Sequence, residues 1–293
     1  MSSGIRMERC LLVIKQTALA MGGRAAEMAQ RGDATARRLI RADREHARTV
    51  ETVRRTLAKH RVEFEEFSLR GLNAAAKRAL GAADLVLSIG GDGTALGASH
   101  YVRAGAMLGV NSAPGDSVGH FCAVARETFA ARFAEILRGA WQPTPLARLE
   151  IALDEKTLPE LALNDVLIAH ESPASTTRYL LRIGATEEEH RSSGLWVATA
   201  AGSTAGIRSA GGRVMPRRSR RLQYLVRELY REPGRSYALT HGILDPAAAG
   251  PILVASKMPE GELYIDGSRT MYRFPFGARA RIGIAEASLQ LFV

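Results

Sequence analysis

The sequence predicts an α/β fold in which an N-terminal domain built on a parallel sheet precedes a C-terminal domain rich in β-strands. In the first half, short apolar runs alternate with helical patterns, which is the rhythm of βαβ crossovers. Beyond residues 141–145, which contain two prolines, short strand-like runs recur between turn residues. We therefore place an α/β domain at residues 1–140 and a β-rich domain at residues 141–279. The tail at about 280–293 is expected to pack back on the first domain.

The first half contains strands and helices in alternation. Continuous aliphatic runs predict its buried strands, apolar residues at helical spacing predict its helices, and Asn73 is a typical helix cap. In chain order the predicted elements are a strand at 7–15, a loop with a short helix at 17–33, a helix at 43–60, a strand at 62–69, a short helix after Asn73, strands at 85–89 and 106–111, a polar loop at 111–122, and a helix that stops at Gly139.

The second half contains mostly strands. Each is a short run of apolar and β-branched residues bounded by turn residues. These predicted strands lie at 148–153, 161–169, 179–183, 195–199, 239–244, 251–255, 262–265, 271–274 and 279–284.

Composition narrows the class of protein. The chain has 293 residues, 46% of them hydrophobic, which is enough for one large core or two smaller ones. A net charge of +10 suits polyanionic ligands such as nucleotides. Aromatic residues make up only 6% and no basic stretch has them interleaved, so nucleic acid is not expected as a partner.

Cysteine usage and hydropathy indicate the compartment. The two cysteines, Cys10 and Cys122, are far apart and have no metal-ligand spacing, and such scarcity is typical of a reducing cytosol. The longest aliphatic run, residues 10–14, is too short for a signal core or a membrane span. We therefore expect a cytoplasmic protein without a membrane partner.

A glycine-rich turn follows the apolar run at residues 85–89. Its sequence is Gly-Gly-Asp-Gly-Thr, and glycines without a Cβ atom allow phosphate or ribose oxygens to approach the backbone. Thr94 is expected to cap a helix that runs to residue 102, which would leave Asp92 in an anion-binding turn at the carboxyl end of a strand. The alternative interpretation is an ordinary βα turn in which Asp92 merely caps a helix.

Two common nucleotide motifs do not fit this turn. A Walker motif requires a lysine directly after a glycine, and the chain has no Gly-Lys pair. The dinucleotide motif G-x-G-x-x-G also fails, because Leu96 stands where the third glycine belongs.

A second turn has a similar composition. The apolar run at residues 195–199 leads into a Gly-Ser-Thr turn and a short helical segment that Gly211 and Gly212 close. Hydroxyls and free amides at a helix start suit phosphate or hydroxyl groups, although a plain Ser/Thr helix cap has the same pattern. A serine-hydrolase elbow is not indicated, since Ser203 lacks the Gly-x-Ser-x-Gly frame.

Four motifs in order resemble the NAD kinase family. They are Gly-Gly-Asp-Gly-Thr at residues 90–94, Asn164-Asp165, Thr-x-x-Gly-Ser-Thr-Ala at residues 199–205, and Asp266-Gly267. The resemblance runs from about residue 85 to residue 281. Order and approximate spacing agree, and four ordered motifs are far more specific than one.

The resemblance implies an activity and a fold. Members of this family transfer the γ-phosphate of ATP to the 2′-hydroxyl of the adenosine ribose of NAD(H), and they pair an α/β domain with a β-rich NAD-binding domain. NAD(H) and ATP, or polyphosphate as the donor, are thus the implied partners. The implied Mg²⁺ arrives with ATP, because no carboxylate cluster for a dedicated metal site is evident. A homodimer or homotetramer is implied as well.

The resemblance also assigns residues. Asp92 would accept the proton of the attacking ribose hydroxyl or orient that hydroxyl, while Asn164 and Asp165 would hydrogen-bond the bound NAD. Arg191 is a candidate for pairing with phosphate. The remaining substrate-binding residues implied are Gly91, Gly93, Thr94, Ser193, Thr199, Gly202, Ser203, Thr204, Ala205, Ser209 and Asp266.

Three positions depart from the common family pattern. Ser193 replaces an aspartate, Gly206 replaces a tyrosine and Ser268 replaces a glutamine. Together with the segments at residues 119–122 and 226–228, these departures resemble the branch that contains the animal mitochondrial NAD kinase. They bear on how the nicotinamide end of NAD is held.

Two other functions stay open at this point. One is a lipid kinase of the diacylglycerol or sphingosine type, which shares the first motif but lacks the others. The second is a non-catalytic, dinucleotide-binding regulator that keeps the fold. The three departures favour this alternative, and the intact Asp92 argues against it.

Overall fold

The computed structural model describes residues 8–115 and 118–293. Met7, in the first predicted strand, and Asp116 and Ser117, in the predicted polar loop, lie outside the described residues. The chain divides into two compact units, Met1–Thr144 with Leu289–Val293, and Pro145–Ser288. Within the described ranges no helix is both long and apolar enough to cross a membrane.

The first unit is a parallel sheet with helices. Its elements are β1 (Cys10–Ile14), α1 (Arg24–Ala29), α2 (Ala34–Lys59), β2 (Phe64–Ser68), α3 (Ala74–Ala82), β3 (Leu85–Gly90), α4 (Asp92–Ser99), β4 (Ala106–Asn111), β5 (Val124–Ala125) and α5 (Arg126–Leu137), and the chain returns to it with β19 (Leu289–Phe292). Strand β6 (Thr144–Leu146) begins at the last residue before the second unit.

The order of the first sheet determines where a ligand can bind. It reads β2-β1-β3-β4-β19-β6, with β5 also paired to β4, and the ladders that join β1 to β2 and β3, and β4 to β3, β5 and β19, are parallel. The chain passes from β1 to β2 on one side and then returns to β3 on the other side of β1. This reversal opens a crevice at the carboxyl ends of β1 and β3, which is where open α/β sheets bind ligands.

The core of the first unit is continuous and apolar. β3 and β4 are buried along their whole length, and Val53 and Leu57 of α2 join Phe129 and Phe133 of α5 in one cluster with the strands. Removal of this apolar area from water is the main force that holds α2 and α5 to the sheet.

The second unit consists of two antiparallel sheets. Its elements are β7 (Leu149–Leu153), β8 (Lys156–Thr157), β9 (Asp165–His170), β10 (Thr177–Ile183), β11 (Thr186–Ser192), β12 (Gly194–Ala198), a 3₁₀ turn (Ala201–Thr204), α6 (Gly206–Ser209), β13 (Leu222–Arg227), β14 (His241–Leu244), α7 (Pro246–Ala249), β15 (Ile252–Ser256), β16 (Gly261–Ile265), β17 (Thr270–Arg273) and β18 (Arg279–Ile284).

One core joins those two sheets. Their strand orders are β11-β10-β15-β18-β7-β8 and β14-β13-β12-β9-β16-β17. Inward-facing residues of both sheets, such as Leu181 of the first and Leu195 of the second, belong to a single buried cluster. The predicted class, a parallel α/β region followed by a β-rich region, is confirmed.

Several element predictions need correction. The helix predicted at 43–60 begins nine residues earlier, at Ala34, because Asp33 caps it by accepting a hydrogen bond from the Ala36 amide. The strands β11 and β13 were not predicted. The prediction that Thr94 caps a helix reaching residue 102 is wrong: α4 begins at Asp92, with Gly91 in the cap position, and ends at Ser99.

Candidate functional site

Asp92 opens α4 at the carboxyl end of β3. The Gly91 carbonyl accepts hydrogen bonds from the Thr94 and Ala95 amides, at 2.9 and 3.1 Å, and so starts the helix. Thr94 is buried, and a Cβ atom on Gly90 would lie 2.3 Å from its hydroxyl oxygen, so the turn requires glycine at position 90. Asp92 is consequently a first-turn residue, where the helix dipole stabilises its negative charge.

The carboxylate of Asp92 is held on one side only. Its Oδ1 accepts a hydrogen bond from the Phe121 amide at 2.8 Å, in the loop that follows β4. No further hydrogen bond to Asp92 is made by the described residues, and the side chain is partly exposed. Burial, and then the charge of Asp92, raise the pKa of the Cys122 thiol to about 12. The site therefore presents a fixed carboxylate with one oxygen available, beside a thiol that stays protonated.

Gly93 has different surroundings from Gly90. Gly93 is exposed, its φ is not left-handed, and a Cβ atom there would meet nothing within 4 Å. Neither the backbone conformation nor the packing of the protein therefore requires glycine at position 93. Open space next to Asp92 is the arrangement expected where a ligand approaches the backbone.

In the second unit, Asp266 holds the segment that contains Asn164 and Asp165. Its carboxylate accepts hydrogen bonds from the amides of Leu163, Asn164 and Asp165 at 2.8, 2.7 and 3.0 Å. Asp266 has φ of +50°, a left-handed conformation that aims its side chain back at this segment. The backbone around Asn164 and Asp165 is thus fixed by a charged clamp.

The polar groups of the Asn164 and Asp165 side chains are in unusual environments. The amide oxygen of Asn164 is buried and has no hydrogen-bond partner in the described part of the chain. Asp165 is 5% exposed, and burial together with the charge of Asp266 raises its pKa to about 8. A buried acceptor and a protonatable carboxyl next to each other are typical of a site that completes its hydrogen bonds with a ligand.

The Gly-Ser-Thr turn packs directly on this segment. The Thr199 hydroxyl donates to the Leu163 carbonyl at 2.5 Å and accepts from the Gly202 amide. The Ser203 hydroxyl donates to the Ala200 carbonyl and accepts from the Met215 amide. Both hydroxyls are fully buried, so in this structure they support the turn and leave no side for a ligand.

Gly202 is required by that packing. A Cβ atom there would lie 2.0 Å from the Asn164 carbonyl oxygen, far inside van der Waals contact. Thr204 and Ser209 are exposed and Ala205 is partly exposed, so these three are the accessible members of the segment. The structure therefore brings Asn164, Asp165, the turn and Asp266 together.

Arg191 and Ser193 lie in a different part of the second unit. Arg191 is the next-to-last residue of β11, in the other sheet, and its guanidinium is 3.6 Å from Glu232. Ser193 lines a cavity of about 500 Å³ together with Trp196, Arg227, Tyr264 and Ser268. A Cβ atom on Gly206 would lie 3.0 Å from the ring of Trp196.

The three departures from the family pattern thus share one neighbourhood. Ser193 and Ser268 line the cavity, and Gly206 touches the tryptophan that forms part of its wall. Sequence reasoning missed Trp196, Phe121 and the clamp role of Asp266, because each depends on contacts between residues far apart in the chain. No group of three or more His, Cys, Asp or Glu residues suited to a metal ion occurs among the described residues.

Comparisons with known proteins give the family. No protein-family model matches the chain. It is 40% identical to a probable NADH kinase of Oryza sativa subsp. japonica over 216 residues, 66% of each chain. It is 34% identical to an NADH kinase of Arabidopsis thaliana over 271 residues, covering 85% of this chain and 83% of that protein.

A solved structure agrees in fold. The chain superposes on an NAD kinase from Archaeoglobus fulgidus in complex with ATP with a TM-score of 0.69, over 97% of this chain and 93% of the other. Sequence identity in that match is 20%, so it concerns the fold alone. The resemblance drawn from the four motifs is confirmed, and the chain belongs to the NAD kinase family.

Proposed function

We infer that this protein is an NAD kinase, which transfers the γ-phosphate of ATP to the 2′-hydroxyl of the adenosine ribose of NAD(H) and forms NADP(H). The observation that carries this inference is the Asp92 carboxylate. It stands at the start of α4 at the crevice of a parallel sheet, with one oxygen fixed by the Phe121 amide and the other available.

Asp92 acts on the ribose hydroxyl. It accepts a hydrogen bond from the 2′-OH and takes its proton as the oxygen bonds to the γ-phosphorus, while the bond from that phosphorus to the bridging oxygen of ADP breaks. Positioning and charge neutralisation provide most of the catalysis in phosphoryl transfer, and the base adds to them. Mg²⁺ enters bound to ATP, as part of the substrate, and neutralises phosphate charge.

The second unit binds NAD through the Asn164–Asp165 segment. The buried oxygen of Asn164 and the protonated carboxyl of Asp165 hydrogen-bond ribose or adenine groups, and Asp266 together with the Thr199, Gly202 and Ser203 turn holds them in place. The exposed Thr204, Ala205 and Ser209 contact the adenine or the diphosphate. Gly91, Gly93 and Thr94 shape the turn around Asp92.

Three further assignments belong to this proposal. The α/β unit is the domain that carries Asp92, and the β-rich unit is the NAD-binding domain. Arg191 and Ser193 serve the nicotinamide side or the phosphates. The enzyme works in the cytoplasm as a homodimer or homotetramer.

The test is a product assay on the purified protein. NAD or NADH is incubated with Mg²⁺ and either ATP or polyphosphate, and NADP(H) is measured with an NADP-specific dehydrogenase. We expect NADP(H) with ATP in at least one redox form. The absence of NADP(H), or product on diacylglycerol or sphingosine alone, would overturn the proposal.

A further inference from the structure

Lys15 lies directly beside the Asp92 turn. It follows β1, and its amide donates to the Ile89 carbonyl of β3 at 2.9 Å. Its own Cβ atom is 3.1 Å from the position that a Cβ on Gly90 would occupy. Lys15 therefore follows the carboxyl end of β1, and Asp92 follows the carboxyl end of β3. The crevice lies between these two strands.

Side chains of helix α2 form hydrogen bonds with the segments next to the Asp92 turn. The ring of His46 on α2 is buried, and its Nδ1 is 2.9 Å from the Ser112 hydroxyl oxygen, beyond β4. Two residues after Lys15, the buried Thr17 hydroxyl donates to the carboxylate of Asp43 on α2. Since Ser112 also donates its amide to the Gly90 carbonyl, α2 holds the segments on both sides of the Asp92 turn, through Asp43 on one side and His46 on the other.

The Lys15 side chain is free to act on a ligand. It is exposed, and it forms no ion pair with any residue in the described ranges 8–115 and 118–293. Burial and then the charge of Lys15 lower the pKa of His46. A cation on a fixed backbone and without an internal partner is suited to an anionic ligand.

Two anions could reach this position, the triphosphate of ATP and the diphosphate of NAD. The proposed NAD-binding residues other than the Asp92 turn all belong to the second unit, and the reacting part of NAD at Asp92 is a neutral hydroxyl. The first unit therefore remains available for the donor, and it has no Gly-Lys pair that could bind phosphate as a Walker motif would. The donor triphosphate is therefore the ligand that matches the charge of Lys15.

We propose that Lys15, whose backbone amide is fixed by the Ile89 carbonyl of β3, binds the terminal phosphates of ATP beside Asp92. This inference rests on the proposed kinase function and deepens it. The ammonium group neutralises charge on the donor and on the γ-phosphoryl group as it is transferred, while Asp92 handles the acceptor hydroxyl.

The test uses three variants of the whole protein, Lys15→Gln, Lys15→Arg and the matched control Lys59→Gln. Lys59 is an exposed lysine at the end of α2, about 20 Å along the helix from His46. Dissociation constants for MgATP without NAD, and for NAD without ATP, are measured by calorimetry. Kinetic constants for NADP formation and the thermal midpoint complete the set.

We expect Lys15→Gln to weaken MgATP binding about 10- to 100-fold, the range for a hydrogen bond to a charged group. NAD affinity and the thermal midpoint stay unchanged, Lys15→Arg keeps most of the affinity, and Lys59→Gln resembles the wild type. Unchanged MgATP affinity in Lys15→Gln, or an equal loss of NAD affinity, would overturn the proposal. Because nucleotide binding is measured directly, this outcome is distinguishable from a failure to form NADP.

Discussion

The two glycine-containing turns of this protein are alike in sequence and different in structure. Both follow a buried strand and lead into a helical segment. In the first turn, Asp92 keeps one carboxylate oxygen available and Gly93 faces open space. In the second, the Thr199 and Ser203 hydroxyls are buried and bonded to backbone groups.

That difference separates two uses of the same residue types. The first turn exposes its functional group, whereas the second supports the Asn164–Asp165 segment that lies against it. A motif of glycine and hydroxyl residues therefore indicates a site without stating which of its members touch the ligand. Burial and internal hydrogen bonds decide that question.

The largest expected effect is at the exposed turn. Asp92→Asn removes the base while its amide oxygen can still accept from the Phe121 amide, so turnover should fall about 10²- to 10⁴-fold with the fold intact. Steady-state NADP formation and circular dichroism measure the two quantities. Turnover within threefold of the wild type would remove Asp92 from the mechanism.

Alanine substitutions at Gly202 and Gly93 should have different effects, one on stability and the other on catalysis. Gly202→Ala forces a Cβ atom against the Asn164 carbonyl and should reduce the free energy of unfolding by about 3 kcal/mol. Gly93→Ala should change it by less than about 1 kcal/mol while lowering kcat/KM, because only a ligand needs that space. Denaturant unfolding and kinetics on both variants provide the comparison, and equal stability losses would contradict it.

The raised pKa of Asp165, next to the second turn, predicts that the stability of the protein depends on pH. Its pKa in the folded protein, about 8, exceeds the ordinary value of 3.8. The unfolded chain therefore loses this proton first, and stability declines as pH rises from about 4 to about 8. Asp165→Asn should remove on the order of 4 kcal/mol of that decline between pH 5 and pH 8. Thermal unfolding across this range measures it; parallel curves for the two proteins would show that the pKa is not raised.

The smallest effect concerns the Ser203 hydroxyl. Ser203→Ala leaves the Met215 amide without its acceptor, which should cost about 1 kcal/mol of stability. Since the hydroxyl is buried, KM for NAD and for ATP should not change. A large rise in either KM with unchanged stability would instead place Ser203 in contact with substrate.

The fold class was predictable because buried strands such as β3 and β4 are recognisable in the sequence as aliphatic runs. Strand β11, Thr-Glu-Glu-Glu-His-Arg-Ser, was not, since it lies at a sheet edge and carries charges on its exposed face. The start of α2 was placed too late, because Ala36 is the only buried residue described in its first two turns.

The candidate site was predictable in part. The motif pointed to Asp92, and the order of motifs pointed to Asn164 and Asp165. Thr94 was taken for the helix cap because threonine is a common cap residue, whereas the cap position is held by Gly91, which has no side chain. Lys15 and His46 were missed, because only the order of strands in the sheet brings β1 next to β3.

The return of β19 to the first sheet has a consequence for synthesis. Leu289, Leu291 and Phe292 are completely buried there, and β19 pairs with β4 in parallel. During translation the whole β-rich unit leaves the ribosome before this strand does. Until then residues 106–108 of β4 lack their β19 partner, and such an open strand edge is prone to pairing with other chains.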